Sequence, residues 1–245
     1  GAPGVPAHPP IPTALARAAA DPAAGAQDDE PVWALVRAQF MIPPGRLFLN
    51  PATLGPQPRA VVDAVAEHTR LTAETFPPHT DWDALKGAVG RLIGADPAGL
   101  VFPRNTTEAM SFVANGLELA AGDEVLTTDH EHIGGVCCWE LLEARRGITL
   151  TRLTLPVPAT DPAAITALFR NAITPRTRVI SISHVAFTNG TVLPVRELAE
   201  LCAARGIVCV VDGAHPPGMI AVDLARLGPI DFYASSPHTW LGAPQ

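Results

Sequence analysis

Lysine is all but missing from this chain. Lys86 is the only one in 245 residues, so any chemistry that calls for a lysine amine has a single source. Cysteine is scarce as well. Cys137 and Cys138 are adjacent, while Cys202 and Cys209 stand apart. That spacing fits neither a zinc site nor a dense disulfide framework, and the four read as buried thiols. No apolar run is long enough to span a bilayer. Positive charge is in deficit, with 17 Lys and Arg against 24 Asp and Glu and a net charge of -7. Neither nucleic acid nor an anionic membrane surface is expected as a partner.

The residues present are 47% apolar and 17% charged, enough for one sizeable core with a small appendage. Residues 1–30 are rich in Ala and Pro, bury too little to order themselves, and read as a tail. Residues 31–245 read as one domain, with no linker dividing them. A charged n-region followed by an apolar h-region is not found, so a signal peptide is not expected. A cytoplasmic protein is slightly favoured over the mature form of an exported one.

From residue 58 the pattern is regular. PRAVVDAVAEHTRLTAETF and DWDALKGAVGRLIGA carry helical spacing. Short apolar runs follow, at 99–103 (GLVFP), 124–128, 148–153, 178–183, 207–212 and 231–235, with helices near 105–119, 134–146, 161–172 and 194–205 between them. Alternation of this kind predicts an α/β fold, a mostly parallel sheet with helices on both faces. Ligands of such sheets sit beyond the carboxyl ends of the strands. The polar residues just after each run are therefore read together.

In RNTTEAM, Asn105 or Thr106 opens a helix, and Asn105 with Glu108 has capping-box character. The amide end of that helix and the Thr hydroxyls suit a phosphate, or an ordinary cap alone. In VCVVDGAHPPG, Asp212 ends a buried strand, where an acid serves as a cap, a metal ligand or the partner of a cationic ligand group. His215 lies three residues on. In TTDHEHIGG, His130, Glu131 and His132 are consecutive, but no third ligand with good spacing supports a metal site. In ISISHVAFTNGTVLPV, Ser183 and His184 lack the elbow of a serine hydrolase.

Taken together, FLNPATLGPQP, RNTTEA, TTDHEHIGG, ISISHVAFTNGTVLPV, VVDGAHPPG and ASSPHTWLGAP resemble the class V aminotransferase family of fold-type I pyridoxal phosphate (PLP) enzymes. The nearest flavour is its isopenicillin N epimerase-like and cysteine desulfurase-like branch. Any one motif is weak, but six in the family's order are specific, and they cover roughly residues 46–245.

The resemblance implies a PLP cofactor and an amino acid substrate. Thr106 and Thr107 match residues that bind the PLP phosphate. His132 matches the ring that stacks on the pyridine, and Asp212 matches the carboxylate that keeps the pyridine nitrogen protonated. His215 falls near the cofactor's 3-hydroxyl, Ser236 and His238 match phosphate-binding and loop-fixing positions, and Asn50 and Thr53 match a segment lining the substrate entrance.

Three departures accompany the match. Thr239 stands where the Schiff-base lysine belongs, and Lys86, on an early helix, does not replace it. Phe187 holds a place where the desulfurase pattern has Asn. The further strand and small C-terminal domain of the family, with its arginine for the substrate carboxylate, are absent from this sequence. A homodimer, or a second chain carrying that domain, is the expected assembly. The function implied is a PLP-dependent epimerase, aminotransferase or lyase, or the large-domain part of one. The alternative is a catalytically dead PLP-fold pseudoenzyme serving as a binding or assembly subunit.

Overall fold

The computed structural model describes residues 30–75 and 80–244. Residues 1–29, most of the expected tail, lie outside the described residues. The chain divides into two compact units, one running up to Thr80 and taking in Leu241–Pro244, the other spanning Asp81–Trp240. The first holds helices α1 (Glu30–Ala38) and α2 (Arg59–Glu74). The connection between them closes on itself, with an antiparallel bridge between Phe40 and Pro58 and the Arg59 N–H donating to Gln39 O at 2.7 Å.

The second unit is built on five parallel strands: β1 (Glu124–Thr128), β2 (Thr149–Leu153), β3 (Thr177–Ser183), β4 (Val208–Asp212) and β5 (Phe232–Ala234). They lie in the order β2-β1-β3-β4-β5. Its helices are α3 (Trp82–Ile93), α4 (Thr106–Gly116), α5 (Ile133–Arg146), α6 (Pro162–Ala172) and α7 (Val195–Ala203). Short acidic or amide caps start several of them. Asp81 accepts from the Ala84 N–H, Asn105 from that of Glu108, and Asp161 from those of Ala163 and Ala164, just ahead of Pro162.

Alternate residues of each strand feed two cores, as the period of two requires. Leu126, Ile180, Ile182, Cys209 and Val211 face α6 and α7 through Ile165, Phe169, Leu198 and Cys202. Val125, Val179 and Val210 face α4 and α5 through Met110, Trp139 and Leu142. With both faces covered, the strands read as continuous apolar runs. Among the described residues no helix is long and apolar enough to cross a membrane.

The expected strand at 99–103 does not form. Pro97–Gly99 is a turn of 3-10 helix, and Leu100 to Pro103 run on without a sheet partner. Leu100 has extended dihedrals and Val101 is 77% exposed. A strand is defined by its ladder, and an apolar extended segment with no neighbour has none. Here the sheet ends at β5, which pairs with β4 alone among the described residues.

Candidate functional site

Strand order reverses direction between β1 and β3, which opens a crevice beyond their carboxyl ends. The loop after β1 crosses that point. Glu131 joins the two strands there. Its Oε1 accepts from the Thr128 hydroxyl at 2.6 Å and its Oε2 from the Ser183 hydroxyl at 2.6 Å. Burial pushes its carboxyl up to about 7, against the pull of those hydroxyls, and the nearby charge of Asp212 adds to the rise.

The next residue, His132, is the N-cap of α5. Its Nδ1 accepts from the Gly134 N–H at 3.0 Å, so the lone pair of that nitrogen is committed and the ring is held. The Phe187 ring meets it edge to face, with centroids 5.1 Å apart and planes at 88°. His130 diverges from His132: its Nδ1 faces the Thr188 hydroxyl at 2.5 Å, and its other nitrogen lies 3.7 Å from Asp129.

Asp212 ends β4, in register with Ser183 on one side and Ala234 on the other. It is buried. Its Oδ1 accepts from the Ala214 N–H at 3.0 Å, and its Oδ2 has no donor among the described residues. Burial pushes this carboxyl up, opposed by the Ala214 N–H and by the charges of His215 and His132. Half-buried His215 is pushed down by burial, with Asp212 opposing and His132 adding to the fall.

Two glycines let the start of α5 come this close. A Cβ on Gly135 would sit 2.4 Å from Asp212 Oδ2, and one on Gly134 would sit 2.3 Å from the Thr107 hydroxyl. His132, Asp212 and Thr107, far apart in sequence, thus meet around one glycine pair.

Thr106 and Ser236 also come together, 130 positions apart in the chain. The Ser236 Oγ accepts from the Thr106 N–H at 2.7 Å, and the two hydroxyls lie 2.5 Å apart. These groups are thereby engaged with each other. The Thr107 hydroxyl at the end of α4 has no partner among the described residues and is exposed. His238 is buried beside them in sequence, and burial pushes its ring pKa down. The Thr239 hydroxyl faces two backbone carbonyls, Ala214 O at 2.6 Å and Ser236 O at 2.9 Å. None of these hydrogen bonds involves Lys86, whose helix α3 packs on the Pro97–Gly99 turn. Asn50 and Thr53 belong to the other unit, where the Asn50 amide donates to the Thr53 hydroxyl at 3.1 Å.

The sequence reading passed over several of these groups. Glu131 was one of three polar residues in a row, and nothing local distinguished it from a solvated acid. The Gly134–Gly135 pair at a helix start was the one signal of close approach. Tyr233 was missed as well. Its hydroxyl pairs with His184 Nδ1 at 2.9 Å, and its ring fills the space a Cβ on Gly213 would need. Burial pushes His184 down to about 4, so the ring is neutral at ordinary pH.

The sequence model of the family described as aminotransferase class-V matches residues 61–244. The chain belongs to the class-V aminotransferase family. Its similarity to curated members follows the same line. It is 41% identical over 219 residues to isopenicillin N epimerase of Streptomyces clavuligerus, covering 86% of this chain and 54% of that protein. It is 39% identical to the isopenicillin N epimerase of Amycolatopsis lactamdurans, covering 86% and 55%. A cysteine desulfurase of Yersinia pestis is 31% identical, covering 80% and 50%. The chain spans about half the length of the curated relatives it matches.

Among solved structures, it resembles a lysine-to-alanine mutant of C-DES with glycine covalently linked to its PLP cofactor. The TM-score is 0.76 at 29% identity, over 85% of this chain and 57% of that one. A complex of the cystine C-S lyase C-DES with cysteine persulfide matches with a TM-score of 0.73 at 26% identity, over 82% and 55%. The parallel sheet with helices on both faces is the large-domain architecture of fold-type I PLP-dependent enzymes.

Proposed function

We propose that this chain is the PLP-binding large domain of an enzyme that acts on an amino acid, of the epimerase, aminotransferase or lyase kind. Residues 31–245 form that domain and 1–30 its tail. It works in the cytoplasm as a homodimer, or with a second chain that supplies the C-terminal domain. The higher identity to epimerases than to desulfurases, and Phe187 in place of the desulfurase Asn, favour the epimerase-like branch.

The observation that carries the reading is Asp212. Its Oδ2 accepts no hydrogen bond among the described residues and is not fully shut off from solvent, so this buried carboxyl keeps one oxygen open to a cation or a donor. The donor set around it fits PLP. Asp212 would hold a proton on the pyridine nitrogen, and His132, fixed by its own helix cap, would lie against the ring face. The amide end of α4 with the Thr107 hydroxyl would take the phosphate, while Ser236 keeps Thr106 in place and His238 fixes the loop behind it. His215 would stand toward the 3-hydroxyl, and Asn50 and Thr53 would serve the substrate entrance. The bound group supplies a cationic ring that accepts electrons released at the substrate's alpha carbon.

Thr239 gives this site no amine, so the cofactor is held without a covalent bond. Titration with PLP, followed by absorbance and protein fluorescence, tests this. Saturable binding that weakens at least about tenfold in Asp212→Asn is the expected result. Borohydride should then leave no pyridoxyl group on the chain. No saturable binding, or a pyridoxyl group on Lys86, would overturn the reading.

One observation favours a second reading, the pseudoenzyme. The Thr239 hydroxyl is spent on bracing two loops, as a purely structural residue would be. PLP binding without turnover of any amino acid, unchanged in Thr239→Lys, would decide for it.

A further inference from the structure

The wall of the site beside His132 is apolar. Phe187 presses its ring against that histidine and is still 48% exposed. Ile133, the next residue along α5, is 61% exposed. Neither offers a hydrogen-bond donor or acceptor from its side chain.

The turn that carries Phe187 is pinned by its neighbours. Phe187 lies in the return at the carboxyl end of β3, where Val185 bridges Val192. The Ala186 N–H donates to Thr191 O at 2.9 Å and the Gly190 N–H to Ala186 O at 2.9 Å. Next to it, Thr188 is tied to His130 on the β1–α5 loop. Backbone hydrogen bonds and a cross-loop contact thus fix the turn that carries Phe187, and its edge-to-face contact with His132 sets the ring beside that histidine.

We propose that Phe187 sets substrate selectivity, favouring an amino acid with an uncharged, apolar side chain, branched aliphatic or aromatic, over one with a small polar side chain. This rests on the PLP-site reading above. A ligand bound against His132 also meets Phe187. A hydroxyl pressed there loses water and gains no partner, a penalty worth about tenfold in affinity. A hydrocarbon group there is favoured instead. A side-chain carboxylate fares no better, since neither Phe187 nor Ile133 offers it a donor.

The test uses the PLP-loaded protein and reads ligand binding by spectral titration with L-leucine and with L-serine, in the unsubstituted chain and in Phe187→Asn and Phe187→Leu. The unsubstituted chain should prefer leucine by about tenfold or more. Phe187→Leu should keep that preference, and Phe187→Asn should lose most of it. Absence of PLP binding to the unsubstituted chain would remove the underlying reading. PLP binding with a leucine-to-serine ratio that moves less than about twofold in Phe187→Asn would overturn this inference alone. Should Phe187→Asn fail to fold, Phe187→Tyr puts the same question by adding one hydroxyl to the same ring. A gain in serine binding is then expected, and no change would overturn the proposal.

Discussion

At the amino end of the sheet, Glu124 opens β1. Its carboxylate accepts from three hydroxyls, those of Thr151 at 2.8 Å, Thr174 at 2.9 Å and Thr177 at 2.6 Å. At the carboxyl end, Asp212 closes β4 with one backbone donor and one oxygen left unmatched. Both carboxyls are buried. Burial drives both pKa values up. At Glu124 the hydroxyls and the charge of Arg176 outweigh it, and the carboxyl titrates below its ordinary value. At Asp212 burial prevails. One end of the sheet spends its acid on holding strands together. The other keeps an acid under-satisfied, as a site that awaits a ligand does.

The sharpest way to break this comparison is to remove the satisfied acid. Glu124→Ala leaves three hydroxyls near the sheet without their acceptor, and a loss of about 4 kcal/mol is expected in denaturant unfolding. A loss under about 1 kcal/mol would mean the hydroxyl cluster is not a structural lock.

The next effect is in pH. Glu131 titrates at about 7 in the fold against an ordinary 4.5. A raised carboxyl contributes stability that is full below about 4.5 and is lost as pH climbs to about 7, here on the order of 3 kcal/mol. Glu124 has the opposite sign, since its contribution is present at neutral pH and fades as acid protonates it. His184, His215 and His238 are pushed down by burial and act in the opposite sense to Glu131, adding stability as pH rises, so the net slope of unfolding free energy from pH 4.5 to 8 combines both signs. The part due to Glu131 is read from the difference, since the slope in Glu131→Gln should be more positive than in the unsubstituted chain by the stability that Glu131 loses as it ionises. An unchanged slope in that variant would detach Glu131 from the site.

Amide substitution should then act in opposite directions at the two ends. Glu124→Gln is expected to lose about 2 kcal/mol, because an amide nitrogen cannot accept from the threonines. Asp212→Asn is expected to gain about 1 kcal/mol of stability in the absence of cofactor while weakening PLP. A loss of stability in Asp212→Asn would show the acid to be structural. The smallest effect concerns the brace between loops. Thr239→Val removes one hydroxyl shared by two carbonyls and should cost about 1 kcal/mol, read as a melting shift of a few degrees.

Much of this was legible in the sequence, because strands covered on both faces declare themselves as apolar runs. EVLTT at 124–128 is β1 to the residue, and the other four observed strands differ from expectation by a residue or so at their ends. The placement of Asp212 at a strand's carboxyl end followed from VVDGAHPPG, where an acid follows a run that must be buried. Asn105 was legible as a cap from its spacing to Glu108. Glu108 itself turns back one residue further, its Oε2 accepting from the Arg104 N–H at 2.6 Å. GLVFP misled because an apolar extended segment and a paired strand look alike in one dimension.

By itself, then, the sequence determined the alternation of strand and helix, the amide ends at α4 and α5, the acid at position 212 and the threonine at 239. These depend on local periodicity, capping and residue identity. The tertiary structure alone decided which groups are spent and which remain available. Thr106 is taken up by Ser236 130 residues away, Glu131 bridges two strand ends, Phe187 lies against His132, and Asp212 Oδ2 is left open over Gly135. Each is a contact between segments distant in the chain. Whether a polar group there is satisfied depends on which neighbours the parallel sheet brings to its carboxyl end, and that is a property of the fold.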